Sequence, residues 1–437
     1  MTLSYDQLRA LDARHVWHPF TQAGTAKPAI LALGGKAATI YAADGREYLD
    51  LVSSWWVNMH GHGNPAIAQA IADQAQRLEQ VIFADFTHEP AARLAQRVTA
   101  LLPGDLNRVF YSDDGSTAVE VALKLAHQYW RNLGEDRSVI VAFEGGYHGD
   151  TVGAMSAGHS SGYFNAWKQM LFPVETIPFP ETWDGDAEVE AKEAAALAAL
   201  DRVLAAHPDR ISSVIIEPLI QGASGMRMCR PEFLRALEAK IRTARTLLIF
   251  DEVMTGFCRT GGYFASAKAG VTPDLLCLSK GLTGGFLPLS MTVARDFIFD
   301  AFWGQDLSRA FLHGHSYTAN PLGCAAGLAS LDLLQAPACQ ARITEIEAQH
   351  RRRLDRLAGA PNVAHTRLCG TVAALDVTGS GQGYGAGISD RLKTAFMERG
   401  LLLRPLGHVL YLLPPYCITD AELERAWDVV EEVLGSV

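Results

Sequence analysis

The sequence predicts an α/β protein with a mostly parallel central sheet, helices on both of its faces, and a smaller α+β domain beside it. Three observations carry this expectation. From about residue 90 to 330, short β-branched runs alternate with longer Ala/Leu-rich amphipathic runs, the order that βα units on a parallel sheet produce. The short runs are near-continuously apolar, as strands are when both sheet faces are covered. At 437 residues the chain also exceeds the size at which a single core stops growing, so two domains are the default.

In chain order, the strand candidates are residues 109–112, 139–143, 214–216, 247–250 and 275–278. Helix candidates between them are 117–130, 187–206 and 231–243. The flanks read differently: 341–357 is a charged amphipathic helix, 371–377 and 409–413 are strands, 379–387 is a Gly-rich loop, and 420–434 is a closing helix. The expected division is 1–60 as the N-terminal segment of the small domain, 61–330 as the large α/β domain, and 331–437 as the C-terminal part of the small domain.

Composition narrows the function classes. Hydrophobic residues at 49% and charged residues at 20% match an ordinary globular protein rather than a disordered or membrane chain. A formal net charge of -10 argues against a nucleic-acid or anionic-membrane partner, which needs a basic face. A small-molecule partner is expected instead. The seven cysteines are odd in number, scattered and free of any C-x-x-C pair, which argues against a disulfide framework or a zinc site. The first twenty residues lack a basic region followed by an apolar run, and no stretch approaches the ~18 apolar residues of a spanning helix. A cytosolic location is the expectation.

The residues following the strand candidates form an unusual set. They are Asp113-Asp114-Gly115-Ser116, Gly145-Gly146-Tyr147-His148, Glu217, Asp251-Glu252 and Ser279-Lys280. In open α/β sheets the ligand crevice lies beyond the carboxyl ends of the strands, so these groups should converge. Lys280 reads either as a lysine snorkelling from a strand end or as an amine whose pKa is lowered for attack on a carbonyl. Asp251 reads as a helix cap or as a carboxylate that keeps a pyridine nitrogen protonated. Glu217, before Pro218, is equally ambiguous. The run SDDGSTAVE has features of an anion site: Gly115 allows close backbone approach, Ser116 or Thr117 begins a helix, and Thr117 to Glu120 matches a capping box.

Tyr147, after two glycines, is placed to stack on a flat ring, with His148 and Asp150 helping to fix it. The aromatic groups 17–20 and 53–56 are either core or the lining of an apolar slot. Arg404 is a surface arginine or a carboxylate clamp. Neither a P-loop nor a G-x-G-x-x-G fingerprint is present, and the pairs His60/His62 and His313/His315 lack the neighbours a metal site needs.

The run DEVMTGFCRTGGYFASAKAGVTPDLLCLSKGLTGG, beginning at Asp251 and containing Lys280, resembles the signature of the class III aminotransferases, fold type I enzymes that use pyridoxal 5'-phosphate. HVWHPFTQ, DLVSSWWVNMHGHGNP, FYSDDGSTAVEVALKLAHQYW, GGYHGDTVGAMS, IIEPLIQGASGMRM, HGHSYTANPLGCAA and LLLRPLGHVLYLLPPY extend the resemblance over nearly the full length. Within the family, the tandem tryptophans and the WHP segment resemble the branch that converts 8-amino-7-oxononanoate to 7,8-diaminononanoate, with S-adenosylmethionine as amino donor, in biotin synthesis. The alternative is another class III ω-aminotransferase acting on a diamine or an ω-amino acid, or one taking lysine as donor.

The resemblance implies roles. Lys280 would bond the cofactor covalently and shuttle a proton between the substrate carbon and the cofactor. Asp251 would pair with the pyridine nitrogen, Tyr147 would lie against the ring, and Gly115 and Ser116 would bind the phosphate. Trp55, Phe20 and Arg404 would hold the keto acid, Arg404 by its carboxylate. Gly314, His315 and Ser316 would reach over from a second subunit, the last two toward the phosphate, making the enzyme a homodimer. Glu217 and Arg259 match positions that are polar in the family's site. Phe20 stands where a tyrosine is familiar, and His315-Ser316-Tyr317 where Pro-Thr-Phe is.

Overall fold

The computed structural model describes residues 3–378 and 387–436. Its centre is a seven-stranded sheet of β1 (Leu106–Ser112), β2 (Val139–Phe143), β3 (Glu175–Ile177), β4 (Ile211–Ile216), β5 (Leu247–Asp251), β6 (Leu275–Leu278) and β7 (Ser290–Arg295), in the order β1-β7-β6-β5-β4-β2-β3. Only β7 runs antiparallel to its neighbours, so the other six point the same way. All five expected strands are present. Sequence reading missed β3, which is short, and β7, whose Ser290 and Thr292 dilute its apolar pattern although both are buried.

Alternate residues of each strand enter two separate cores. Leu247 and Ile249 pack with Val121, Leu125 and Trp130 of the helix Gly115–Asn132, whereas Leu248 and Phe250 pack with Phe233, Leu234 and Leu237 of the helix Pro231–Thr243. Helices therefore cover both faces, and the side chain at each strand end is aimed by a buried strand. Asp251, following Phe250, is 4% exposed.

A four-stranded sheet joins Ala32–Lys36, Thr39–Ala42 and Glu47–Asp50 to Leu401–Leu402, which pairs parallel with Leu49 and Asp50. A three-stranded antiparallel sheet holds Val363–Cys369, Val372–Val377 and Val409–Leu412. The beginning and the end of the chain are thus bonded into one layer. The helix expected at 341–357 begins earlier, at Pro337, because Pro337 occupies its first turn. Apart from Gly387, the Gly-rich segment 379–387 lies outside the described residues. Among the described residues no single helix is long and apolar enough to cross a membrane.

Candidate active site

A cavity of about 510 Å³ opens beyond the carboxyl ends of the parallel strands. Lys280, Asp251, Tyr147, Gly115 and Ser116 all line it, together with Glu217 and His148.

At its floor, Asp251 lies 2.7 Å from His148 through Oδ2 and Nδ1, and its Oδ1 accepts the Val253 N–H at 3.1 Å. Burial opposes charging of His148, but the adjacent carboxylate outweighs it and raises the imidazole pKa above its ordinary value. The His148 Nε2 atom is buried and has no hydrogen-bond partner among the described residues. Glu217 accepts the Tyr147 and Gly222 N–H groups at 3.0 Å each, and burial pushes its pKa up to about 7. Glu252, by contrast, caps the backbone at Ala265 and Ser266 and lies outside the cavity lining.

Lys280 follows β6 with φ +42°, a conformation a non-glycine residue holds only where its surroundings dictate it. Ser279 anchors the turn by donating its hydroxyl to the Leu289 carbonyl at 2.9 Å. The Lys280 Nζ atom stands 5.1 Å from the Trp56 ring centroid. Burial lowers its pKa, against the opposing pull of Asp251 and Glu217, which favours the neutral amine. Of the two readings of this residue, the structure favours the amine turned into a crevice over a snorkelling one.

The helix Gly115–Asn132 starts at the cavity wall, where the amides of its first turn, that of Thr117 apart, can serve as an anion cradle. Its cap differs from the sequence expectation. Asp114, not Thr117, is the N-cap: Asp114 Oδ1 accepts the Thr117 N–H at 3.0 Å, and Thr117 answers from the third helical position. Glu120 instead accepts the Gly153 and Ala154 N–H groups at 2.6 and 3.2 Å, tying the loop after β2 to this helix. Two glycines keep the cradle open. A Cβ at Gly115 would stand 2.6 Å from Val253 Cγ1, and one at Gly149, where φ is +127°, would stand 2.7 Å from Ser116 Cα. Ser116 Oγ accepts the Asp150 N–H at 3.1 Å. Tyr147 donates its hydroxyl to Asp150 at 2.8 Å and stacks on Phe164, with ring centroids 5.8 Å apart.

Aromatic side chains form the mouth. Trp55 is 40% exposed, with the Arg404 guanidinium 4.3 Å from its ring centroid and Phe20 at 5.4 Å. Arg404 makes no ion pair among the described residues, so its planar fork is available to a carboxylate. Trp56 is buried and donates Nε1 to the Tyr411 hydroxyl at 3.0 Å. Trp17, 92% exposed, is no part of this slot.

Gly314, His315 and Ser316 are absent from the lining of the chain's own cavity. His315 Nε2 lies 3.9 Å from Asp113 Oδ1, and the Ser316 carbonyl accepts the Gln80 amide at 2.8 Å. Arg259 is buried elsewhere, donating to the Pro414 and Asn58 carbonyls. It clamps the terminal segments onto the large sheet rather than facing the cavity. Trp56 lines the site, as one reading of the 53–56 aromatic group expected; Tyr411, Val253 and the loop Phe286-Leu287-Pro288 also line it, and sequence reading did not single them out as site residues. Their apolar character resembles core; only a neighbourhood rule, taking the residues beside each strand end, would have found Val253.

The chain matches the model of the "Aminotransferase class-III" family over residues 21–434. It belongs to the class III aminotransferases. A protein of Synechococcus elongatus named adenosylmethionine-8-amino-7-oxononanoate aminotransferase is 54% identical over 97% of this chain and 99% of its own length. One of the same name from Geobacter sulfurreducens is 36% identical over 98% of each. Among solved structures, the enzyme of that name from Methanocaldococcus jannaschii superposes with a TM-score of 0.92 at 31% identity, over 99% of this chain and 100% of that one. An amine transaminase from an uncultivated Pseudomonas species, in a PLP-bound form, does so with a TM-score of 0.90 at 31% identity, over 97% and 98%. This class III aminotransferase therefore has the fold of the pyridoxal-phosphate-dependent transaminases, as expected.

Proposed function

We propose that this enzyme uses pyridoxal 5'-phosphate to transaminate 8-amino-7-oxononanoate to 7,8-diaminononanoate, with S-adenosylmethionine as amino donor, in biotin synthesis. The observation that carries the reading is a single cavity with a pKa-lowered lysine and a carboxylate–imidazole pair at its floor and, at its mouth, an arginine that lies over a tryptophan and has no ion-pair partner among the described residues. The 54% identical relative of matching length supports the choice of substrates.

The residues fit the cofactor. A cradle at Gly115 and Ser116 that an added Cβ would fill suits a phosphate, and Asp251, backed by His148, suits a pyridine N–H. When bound, pyridoxal phosphate supplies the carbonyl that exchanges amino groups and a protonated ring that withdraws electrons from the substrate carbon. The chain does the rest. The Asp251 carboxylate would hold positive charge at the ring nitrogen, and Tyr147 would lie against the ring. The Lys280 amine, whose pKa burial lowers, would serve as base and nucleophile and move the proton at the reacting carbon. Arg404 orients the keto acid by its carboxylate, while Trp55 and Phe20 cover its aliphatic chain and exclude water.

Gly314, His315 and Ser316 belong to the same reading, as groups given to the cavity of a second copy in a homodimer. In support, this segment is flanked by Leu312 and Tyr317, which are 71% and 63% exposed. The proposed domain division keeps the large sheet within 61–330, and the pairing of Leu401–Leu402 with Glu47–Asp50 supports one small domain from both termini.

Two outcomes test the reading. Adding S-adenosylmethionine to the cofactor-loaded protein is expected to abolish its visible absorption band; bleaching by lysine or a simple diamine but not by S-adenosylmethionine would overturn the donor. Gly149→Ala, which drives a Cβ into Ser116, is expected to weaken cofactor binding about tenfold in an absorbance titration, a modest strain effect. An unchanged titration would contradict the cradle.

A further inference from the structure

Three of the four residues from Ser53 to Trp56 have positive φ, and none is glycine: Ser53 at +49°, Ser54 at +63° and Trp56 at +67°. Ser54, with ψ -79°, sits in the strained γ-turn conformation, and Trp55, between its neighbours, is non-helical at φ -141° and ψ 60°. Such geometry persists only where its surroundings over-determine it. The main determinant is Asp50, the last residue of the strand Glu47–Asp50, whose side chain is fully buried. Its Oδ1 accepts the Val52 N–H at 3.2 Å. Its Oδ2 accepts the Ser54 N–H at 2.7 Å, the Ser54 hydroxyl at 3.3 Å and His62 Nε2 at 3.0 Å. Ser53 adds a bond from its hydroxyl to the Leu413 carbonyl at 2.8 Å.

The bent segment has a chemical consequence. Consecutive tryptophans are sent to different ends of one cavity, Trp55 beneath the Arg404 guanidinium and Trp56 beneath the Lys280 amine. The placement of the two rings, one under the carboxylate seat and one under the reacting amine, is therefore set by one short strap. We propose that Asp50 is a positioning residue for the acceptor substrate: by holding the strap in its left-handed form it keeps the Trp55 ring under Arg404 and the Trp56 ring under Lys280, and so shapes the slot that the aliphatic chain of the keto acid occupies. His62 orients the carboxylate. This rests on the reading of the mouth as the keto acid's seat.

The test uses the cofactor-loaded enzyme. Asp50→Asn leaves the side-chain volume and removes one acceptor atom; the KM for 8-amino-7-oxononanoate is expected to rise about tenfold, with kcat falling less than KM rises. Glycine bears a positive φ without strain, so adding Ser54→Gly to Asp50→Asn is expected to recover most of the lost KM. Ser54→Val, at an exposed position where a β-branched residue disfavours positive φ, is expected to raise KM even with Asp50 intact, and it decides the matter if Asp50→Asn does not fold. A KM within twofold of wild type in Asp50→Asn or Ser54→Val, or no recovery on adding Ser54→Gly, overturns the proposal. Absence of wild-type turnover of this keto acid overturns the reading of the mouth and the proposal with it.

Discussion

Replacing Lys280 by alanine is expected to lower turnover by at least about ten-thousand-fold, the combined loss of a nucleophile and a positioned base. The expectation rests on placement. Lys280 is held at φ +42° at the end of β6, its amine is turned into the cavity, and burial lowers its pKa. A neutral amine is thus available below the pH at which a free lysine would supply one, and wild-type turnover should be lost as pH falls through that depressed pKa. The phosphate cradle and the floor pair are untouched by the substitution, so the variant should still retain cofactor. Steady-state kinetics and cofactor content after gel filtration check both halves. A variant that keeps turnover would remove Lys280 from the chemistry.

Asp251→Asn is expected to cost about a thousandfold in kcat, of the size seen when a preorganised charge at a reaction centre is removed, with KM little changed. The side chain is almost fully buried and its Oδ2 is hydrogen-bonded to His148, so the amide keeps the shape and loses the charge. His148 is coupled to the same event: its pKa is raised by the Asp251 carboxylate against the cost of burial, and without that charge burial alone should lower it. His148 in Asp251→Asn should therefore titrate at lower pH than in the wild type, a shift that imidazole resonances would report. A kcat loss under tenfold would show that charge at this position is not used.

Much of the site was legible because the sheet is parallel. A run such as Leu247 to Phe250 can be buried on both faces only if it is apolar throughout, so the first polar residue after it marks the strand's carboxyl end. That rule located Asp251, Lys280, Glu217 and the Gly115 loop without any family knowledge, while the cofactor and substrates came from the resemblance alone. The cap at Asp114 was misread because Thr117 and Glu120 satisfy the spacing of a capping box, whereas long-range bonds to Gly153 and Ala154 recruit Glu120. The strap at Ser53 to Trp56 was hidden for a related reason. Nothing in Ser-Ser-Trp-Trp favours positive φ, and the carboxylate that imposes it lies in the preceding strand. The pairing of the two termini through Leu49 and Leu401 is likewise a contact that no local pattern encodes.

The most direct test of the central claim is a transfer from heavy-nitrogen-labelled S-adenosylmethionine. The cofactor-loaded protein is incubated with this donor and 8-amino-7-oxononanoate, and the product is identified by mass spectrometry. The account predicts 7,8-diaminononanoate carrying one labelled nitrogen. No diamine, or a diamine without label, would contradict it.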